Sequence, residues 1–193
     1  MPSLRLALPS DAAALSAIYR PIVEGTWTSF ETEAPSPREM AERAAQALRF
    51  APWIVVEDAG AVTGYAYACR HRERAAYRWA VEVSVYLDAA HRGRGLGRRL
   101  YAGLFDLLRL QGFVHAYAGI TLPNPASTGF HQAMGFTSIG TYAKVGFKLG
   151  AWRDVQWLHL GLVKPPIAPA APVPLPEMDP DAVERALATP PNL

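Results

Sequence analysis

Three glycines and four arginines crowd one short stretch of this chain, Arg92-Gly93-Arg94-Gly95-Leu96-Gly97-Arg98-Arg99. Glycine lets backbone approach backbone, so several N–H groups can point at one anion. The stretch lies between a strand-like apolar run, Val83-Ser84-Val85-Tyr86-Leu87, and a helix-like run over residues 100–110. A helix beginning there adds its positive end and its unpaired N–H groups to the guanidinium charge. The chemistry this arrangement offers is the holding of a pyrophosphate. It is not a P-loop, because no Gly-Lys-Ser/Thr follows, and its glycine spacing is not the dinucleotide fingerprint. The plain alternative is a basic turn that only opens a helix, and the remainder of the chain has to decide between the two.

Glu82 is the second chemical feature. It stands in the otherwise apolar segment 79–85, where alternation places Val81, Val83 and Val85 on one face and Glu82, Ser84 and Tyr86 on the other. A carboxylate facing a cleft can take a proton directly or through water. The same carboxylate could instead pair with Arg72, Arg74 or Arg78 for structure. Arg72 and Arg74 sit in the charged loop before this strand, and guanidinium forks suit planar oxyanions. Trp27, Phe30 and Tyr77 are candidates to wall a pocket, though each also suits a core. The histidines, His71, His91, His115, His131 and His159, have no metal-ligand spacing, and no metal is expected. Cys69 reads as a small buried hydrophobe.

The elements that must carry these residues follow from periodicity and punctuation. Half of the 193 residues are hydrophobic, enough for one domain with a real core. A strand over residues 4–8 is followed by a helix with Ser10-Asp11 as its cap and Leu15, Ile18 and Ile22 on one face. Pro21 is expected to kink or end that helix early. An aromatic-bearing loop over 25–35 leads to a helix starting at Ser36-Pro37 and running to about residue 50. Strands over 53–57 and 61–69 flank the turn Asp58-Ala59-Gly60, and the charged loop 70–78 precedes the strand 79–87. A helix over about 95–111 ends near Gly112. A short strand, 116–120, breaks at Leu122-Pro123-Asn124-Pro125, and a short helix spans about 126–134. Strands over 137–142 and 154–162 close the domain, 1–163. Nine of the last 30 residues are proline, which reads as an extended tail over 164–193, with one or two helical turns at 181–188. No signal peptide or membrane span is expected, and a single cysteine fits a reducing, cytoplasmic setting.

The run Arg92-x-x-Gly95-x-Gly97 resembles the acyl-CoA signature of the GNAT N-acetyltransferases, and the element order resembles their fold. Three segments resemble the phosphinothricin and methionine sulfoximine acetyltransferase family in particular. They are VYLDAAHRGRGLGRRLY (85–101), AGITLPNPASTGFHQAMGF (118–136) and VGFKLGAWRDVQW (145–157). The resemblance covers about residues 3–162. It implies an α/β GNAT fold: a mixed, mostly antiparallel sheet splayed between strands 4 and 5 and flanked by helices. It implies direct acetyl transfer from acetyl-CoA to the α-amine of a small amino acid analogue, in a homodimer. Cofactor contacts would fall on Val85, Tyr86, Leu87, Arg92, Gly93, Arg94, Gly95, Leu96, Gly97, Arg98 and Asn124. Pro125 departs modestly from the family pattern. Substrate contacts would fall on Arg72, Arg74 and Tyr77, with Glu82 as the base. His131 takes the position where many GNAT enzymes carry a tyrosine acid, and is a candidate acid or proton relay. A backbone N–H near 83–85 would meet the developing oxyanion. Lys148, Trp152 and Asp154 match family positions, as parts of the pocket or of the dimer interface.

Rival readings remain at this stage. Within enzymes they are acetylation of a protein N-terminus or of another amine such as a polyamine, against which Arg72 and Arg74 would repel a cationic substrate. Outside enzymes they are a CoA-binding sensor without turnover, and a nucleic-acid binder. Eight of the 19 basic residues lie between Arg70 and Arg99, yet no nucleic-acid motif accompanies them. The expected partners are acetyl-CoA and a small amino acid, not nucleic acid or membrane.

Overall fold

The computed structural model describes residues 2–188. In chain order they form β1 (Ser3–Leu6), α1 (Ala12–Gly25), α2 (Pro37–Leu48), β2 (Trp53–Asp58), β3 (Ala61–Arg70), β4 (Ala80–Leu87), α3 (Leu96–Gln111), β5 (His115–Thr121), α4 (Pro125–Ala133), β6 (Thr137–Lys148), β7 (Ala151–Gly161) and α5 (Pro180–Ala188). The strands make one sheet in the order β1-β2-β3-β4-β5-β7-β6.

Period-two alternation sorts side chains between two helical layers. Ile54 and Val56 of β2, Ala66 and Ala68 of β3, and Val81 and Val83 of β4 pack with Leu100, Leu104 and Leu108 of α3. The intervening residues Trp53, Val55 and Tyr65 face the other way, onto Leu15, Ile18 and Ile22 of α1 and Met40 and Ala44 of α2. Each layer is a helix stripe laid on one sheet face. Ser36 starts α2 with a reciprocal cap: its hydroxyl accepts from the Glu39 N–H and the Glu39 carboxylate accepts from the Ser36 N–H.

The feature that positions the site is an interruption in the sheet. All other neighbouring strands pair antiparallel, while β4 and β5 run parallel and register only at Ala80↔His115, Val81↔Ala116 and Glu82↔Tyr117. Past that point β4 stays on β3 as far as Leu87, and β5 stays on β7 as far as Thr121. The two strands part, so their facing N–H and C=O groups lose sheet partners. This is the splay that the family resemblance implies.

Several local expectations are corrected. Pro21 does not end α1, which continues to Gly25. The proline ring is exposed, while Ile18, Ile22 and Val23 are held in the apolar layer, so packing outweighs one missing backbone bond. Asp11 precedes α1 but does not cap it with its side chain. It makes a two-pronged ion pair with Arg5, at 2.7 and 2.9 Å, and accepts from the Leu8 N–H. The strands read as 137–142 and 154–162 are one long hairpin, joined by a two-residue turn in which Leu149 and Gly150 both have positive φ. Residues 164–188 of the proline-rich segment fold back on the domain, with α5 where one or two helical turns are expected, and residues 189–193 of the expected tail lie outside the described residues. Leu175, Val183 and Leu187 are buried, the Gln111 amide donates to the Val173 carbonyl, and the Trp79 indole donates to the Ala170 carbonyl.

Candidate active site

Glu82 lies where β4 and β5 part, on the sheet face shared with Ser84 and Tyr86. Its Oε1 accepts two hydrogen bonds of 3.0 Å, from Arg72 Nη1 and from His71 Nδ1. The His71 ring stacks on Tyr117, centroids 4.3 Å apart and 14° from parallel, and meets Tyr77 and Trp157 edge-on. Arg72 also donates to the His71 carbonyl and lies over the Trp157 indole. Both bonds land on one oxygen, so Oε2 remains as the acceptor for anything entering the cleft. The ion pair with Arg72 offered as the structural alternative therefore exists, and it leaves the carboxylate half-buried, not closed off.

Of the sequence candidates, the structure brings together Glu82, Arg72 and Tyr77, and leaves Arg74 apart. Arg74 is exposed, and its guanidinium has no hydrogen bond or ion pair among the described residues; its carbonyl accepts from the Tyr77 N–H at 2.9 Å and opens the single turn that carries Tyr77. His71 was missed. Antiparallel pairing of Cys69 with Glu82 and Arg70 with Val81 brings the residue after β3 beside the glutamate, which is legible only once that register is known. Cys69 is exposed, contrary to expectation. Desolvation around the sulfur, and then the Glu82 carboxylate, push its thiol up to about 11, which keeps it protonated and unreactive at neutral pH.

The slot between the splayed strands is lined by Val83, Ser84, Val85 and Tyr86 of β4, by residues 118–121 of β5, and by Asn124, Ser127 and His131. Asn124 starts α4, its Oδ1 accepting from the Ser127 N–H at 3.1 Å. At the end of β4 comes the glycine turn. Gly93 and Gly95 have φ of +74° and +78°, and Gly95 caps α3 in the left-handed region. Leu96 and Gly97 are buried and fasten the turn to the core. The free N–H groups of the first turn of α3 thus lie beyond the open end of the slot. Arg92 donates to the Leu87 carbonyl and Arg94 pairs with Asp58 at 3.1 Å, so both brace the turn, while Arg98 is exposed.

His131 is buried and has both nitrogens engaged. Nδ1 lies 2.8 Å from the Ser127 carbonyl, which can only accept, so Nδ1 carries the proton. Nε2 then accepts from the Tyr101 hydroxyl at 2.9 Å. Burial lowers the His131 pKa, opposed by the bond to Ser127. The ring is a neutral acceptor in a wall of Tyr101, Phe130 and Phe136. His115 and His159, 2.9 Å apart, are also shifted down by burial, His159 further by its neighbour.

These three histidines set a pH dependence. Each has a folded pKa below its ordinary value of 6.5, so on acidification the unfolded chain binds protons before the folded one does. The stabilisation is complete above about 6.5 and is lost as pH falls through the folded values. The melting temperature should drop steadily from pH 7 to pH 5, before the carboxylates titrate. A melting temperature flat across that interval in scanning calorimetry would contradict the assignment of neutral rings with lowered pKa values.

A profile of the acetyltransferase (GNAT) family matches residues 19–136. The chain belongs to the GNAT acetyltransferase family. The chain is 37% identical over 170 residues to a phosphinothricin N-acetyltransferase of Streptomyces viridochromogenes, covering 88% of this chain and 92% of that one. It is 36% identical over 163 residues to an L-methionine sulfoximine/L-methionine sulfone acetyltransferase of Salmonella typhimurium, covering 83% and 94%. Among solved structures it is similar to a GNAT superfamily phosphinothricin acetyltransferase from Sinorhizobium meliloti in complex with acetyl-CoA. The TM-score is 0.80 at 35% identity, over 87% of this chain and 95% of that one. The sheet with its parallel β4–β5 pair is the GNAT fold. No helix among the described residues is long and apolar enough to cross a membrane.

Proposed function

We propose that this GNAT enzyme transfers the acetyl group of acetyl-CoA to the α-amine of a small amino acid derivative of the methionine sulfone, methionine sulfoximine or phosphinothricin kind. The observation that carries the reading is the place of Glu82: at the point where the strands part, with one oxygen held by His71 and Arg72 and the other open. The relatives named above supply the substrate class.

The residues divide the work. The N–H groups of Gly93, Gly95, Leu96, Gly97 and Arg98, with the side chains of Arg92, Arg94 and Arg98, hold the pyrophosphate. The unpaired edge of β4 at Val85, Tyr86 and Leu87, facing Asn124, takes the extended pantetheine arm as a strand would be taken. Acetyl-CoA supplies an activated acetyl group when bound there. Glu82 Oε2 accepts the proton from the incoming ammonium or amine, directly or through one water. As the amine nitrogen bonds to the acetyl carbon, a β4 N–H near 83–85 donates to the carbonyl oxygen as it gains charge; the C–S bond then breaks and the CoA sulfur leaves, taking a proton from solvent water. Arg72, held on Glu82 and over Trp157, takes the acidic group of the substrate. His131 keeps a part in the slot wall by fixing the Tyr101 hydroxyl. A role as acid would require it to release the Nδ1 proton held on Ser127, or to gain a proton at Nε2 in place of the bond it accepts from Tyr101. The setting is the cytoplasm, where acetyl-CoA and a reduced Cys69 occur together, and inactivation of toxic amino acid analogues follows from the substrate class.

A homodimer is part of the same proposal. Tyr142, Val145, Phe147, Leu149 and Trp152 of the β6–β7 hairpin are each at least half exposed, an apolar patch of the kind that marks an interface. Light scattering should show a dimer for the wild type and a monomer for Phe147→Glu. A monomeric wild type would overturn this part alone.

The substrate is tested by following thiol release from acetyl-CoA against phosphinothricin, methionine sulfoximine, methionine sulfone, the common amino acids and spermidine. A kcat/KM above about 10⁴ M⁻¹s⁻¹ for one of the first three supports the reading. A clear preference for spermidine or a peptide amine would replace it.

A further inference from the structure

β6 ends at Lys148, whose side chain turns into the protein and is only 7% exposed. Its ammonium binds carbonyls. Nζ donates to the oxygens of Val23 at 2.6 Å, Ser29 at 2.7 Å and Glu31 at 2.6 Å. An ammonium has three donors and no acceptor, so all three are spent on this contact. Val23 is in the last turn of α1. Ser29 and Glu31 are the two neighbours of Phe30, in the segment 26–35 between α1 and α2.

The placement of Phe30 is doubly determined. Its ring lies on Gly146, two residues before Lys148, so closely that a Cβ there would fall 2.3 Å from the ring carbons. Only glycine lets the two approach. The same segment gives Thr28 to the lining of the transfer slot, and the Thr28 carbonyl accepts from the Thr121 hydroxyl at 3.3 Å. Trp27 is held by its indole donating to the Pro123 carbonyl at 3.1 Å, under the Arg153 guanidinium. The loop is thus fixed from the hairpin, from β5 and from the turn before α4, and Phe30 is the apolar side chain it leaves 38% exposed.

We propose that Lys148 is a positioning residue for the acceptor amine: by gripping the carbonyls on either side of Phe30 it sets the loop that walls the acceptor side of the slot. It acts through the loop that carries Phe30 and brings Thr28 to the slot beside residues 118–121 of β5, and not on the pyrophosphate end of acetyl-CoA, whose contacts lie at the glycine turn after β4. The proposal rests on the acetyl-transfer reading for its kinetic consequence, but the clamp itself is independent of it. A lysine there for stability alone would affect both substrates alike.

Lys148→Met keeps the apolar stem and removes the donors. The amine KM should rise about tenfold or more, because small misplacements of a positioning group are costly. The acetyl-CoA KM should stay within about twofold. Phe30→Ala should raise the amine KM similarly, and the double variant should lose little beyond the larger single effect, since both act by loosening the same loop. Gly146→Ala disturbs the ring from its other side with Lys148 intact and should give the same selective defect, which serves if Lys148→Met folds poorly. Leu187→Ala, in the packing of α5, is the control that lowers stability without changing either KM. Hydrogen exchange of amides 26–35 should quicken in Lys148→Met. An unchanged amine KM, a parallel rise of both KM values, or additive effects with Phe30→Ala would overturn the proposal. Should the wild type acetylate none of the amines, the functional reading fails, and exchange decides the clamp: quickening over 26–35 supports it, unchanged exchange refutes it.

Discussion

Glu82→Gln should lower kcat by about 10² to 10⁴-fold, the range for loss of a general base, while the acetyl-CoA KM stays within about twofold. The substitution keeps the shape of the side chain and the oxygen on which His71 Nδ1 and Arg72 Nη1 converge at 3.0 Å. It replaces the other oxygen by an amide NH₂, which donates where the reaction needs an acceptor. The Arg72 ion pair is weakened as well, but the side chains are a third to nearly half exposed, so little stability rides on it. Steady-state rates with acetyl-CoA and the preferred amine, beside melting curves, separate the two effects. Near wild-type turnover would remove Glu82 from the chemistry and leave it as the strand partner of Arg72.

The second large effect is expected at the other end of the slot. Gly95 has φ of +78° where it caps α3, and a Cβ there would meet nothing within 4 Å. The obstacle to another residue is therefore conformational, not steric crowding by neighbours. A β-branched residue in this region is strained by about 1–3 kcal/mol. Gly95→Val relieves the strain by opening the turn, which moves the N–H groups of Leu96, Gly97 and Arg98 away from one focus. Acetyl-CoA affinity should fall about tenfold or more, with the amine KM and kcat at saturation little changed. Gly95→Asn, which tolerates positive φ far better, should keep most of the affinity. Equal losses for valine and asparagine, measured by calorimetric titration of CoA, would show that the backbone conformation is not what matters.

The two halves of the site were unequally legible. The glycine turn, the α3 start and the cap at Gly112 are written in local sequence, because glycine is needed where φ is positive. Glu82 could be singled out because one charge in an apolar alternating strand is a local anomaly. His71 could not, since nothing near it in sequence says which strand residue it meets. The tautomer of His131 depends on a carbonyl one helical turn away and on Tyr101 in another helix, so its sequence position suggested an acid where the packing shows an acceptor. Asp154 also took its meaning from the fold: its Oδ1 accepts from the N–H of Lys144, whose positive φ marks an irregularity in the β6–β7 hairpin. The sequence shows only two short strands there because the inward positions of the hairpin include Gly146 and Lys148, while Val145, Phe147, Leu149 and Trp152 face outward, which inverts the usual pattern. Lys148 is the clearest case: the family resemblance marks the position, but its burial against three backbone oxygens depends on the fold alone.

The direct test of the account is a two-substrate initial-rate study with acetyl-CoA and methionine sulfone, joined to mass spectrometry of the product and of the intact protein. The account predicts intersecting reciprocal plots, an N-acetylated amino acid as product, and a protein whose mass does not change during turnover. Parallel plots with a protein one acetyl group heavier would contradict direct transfer. Binding of acetyl-CoA without transfer to any amine would contradict the enzyme itself.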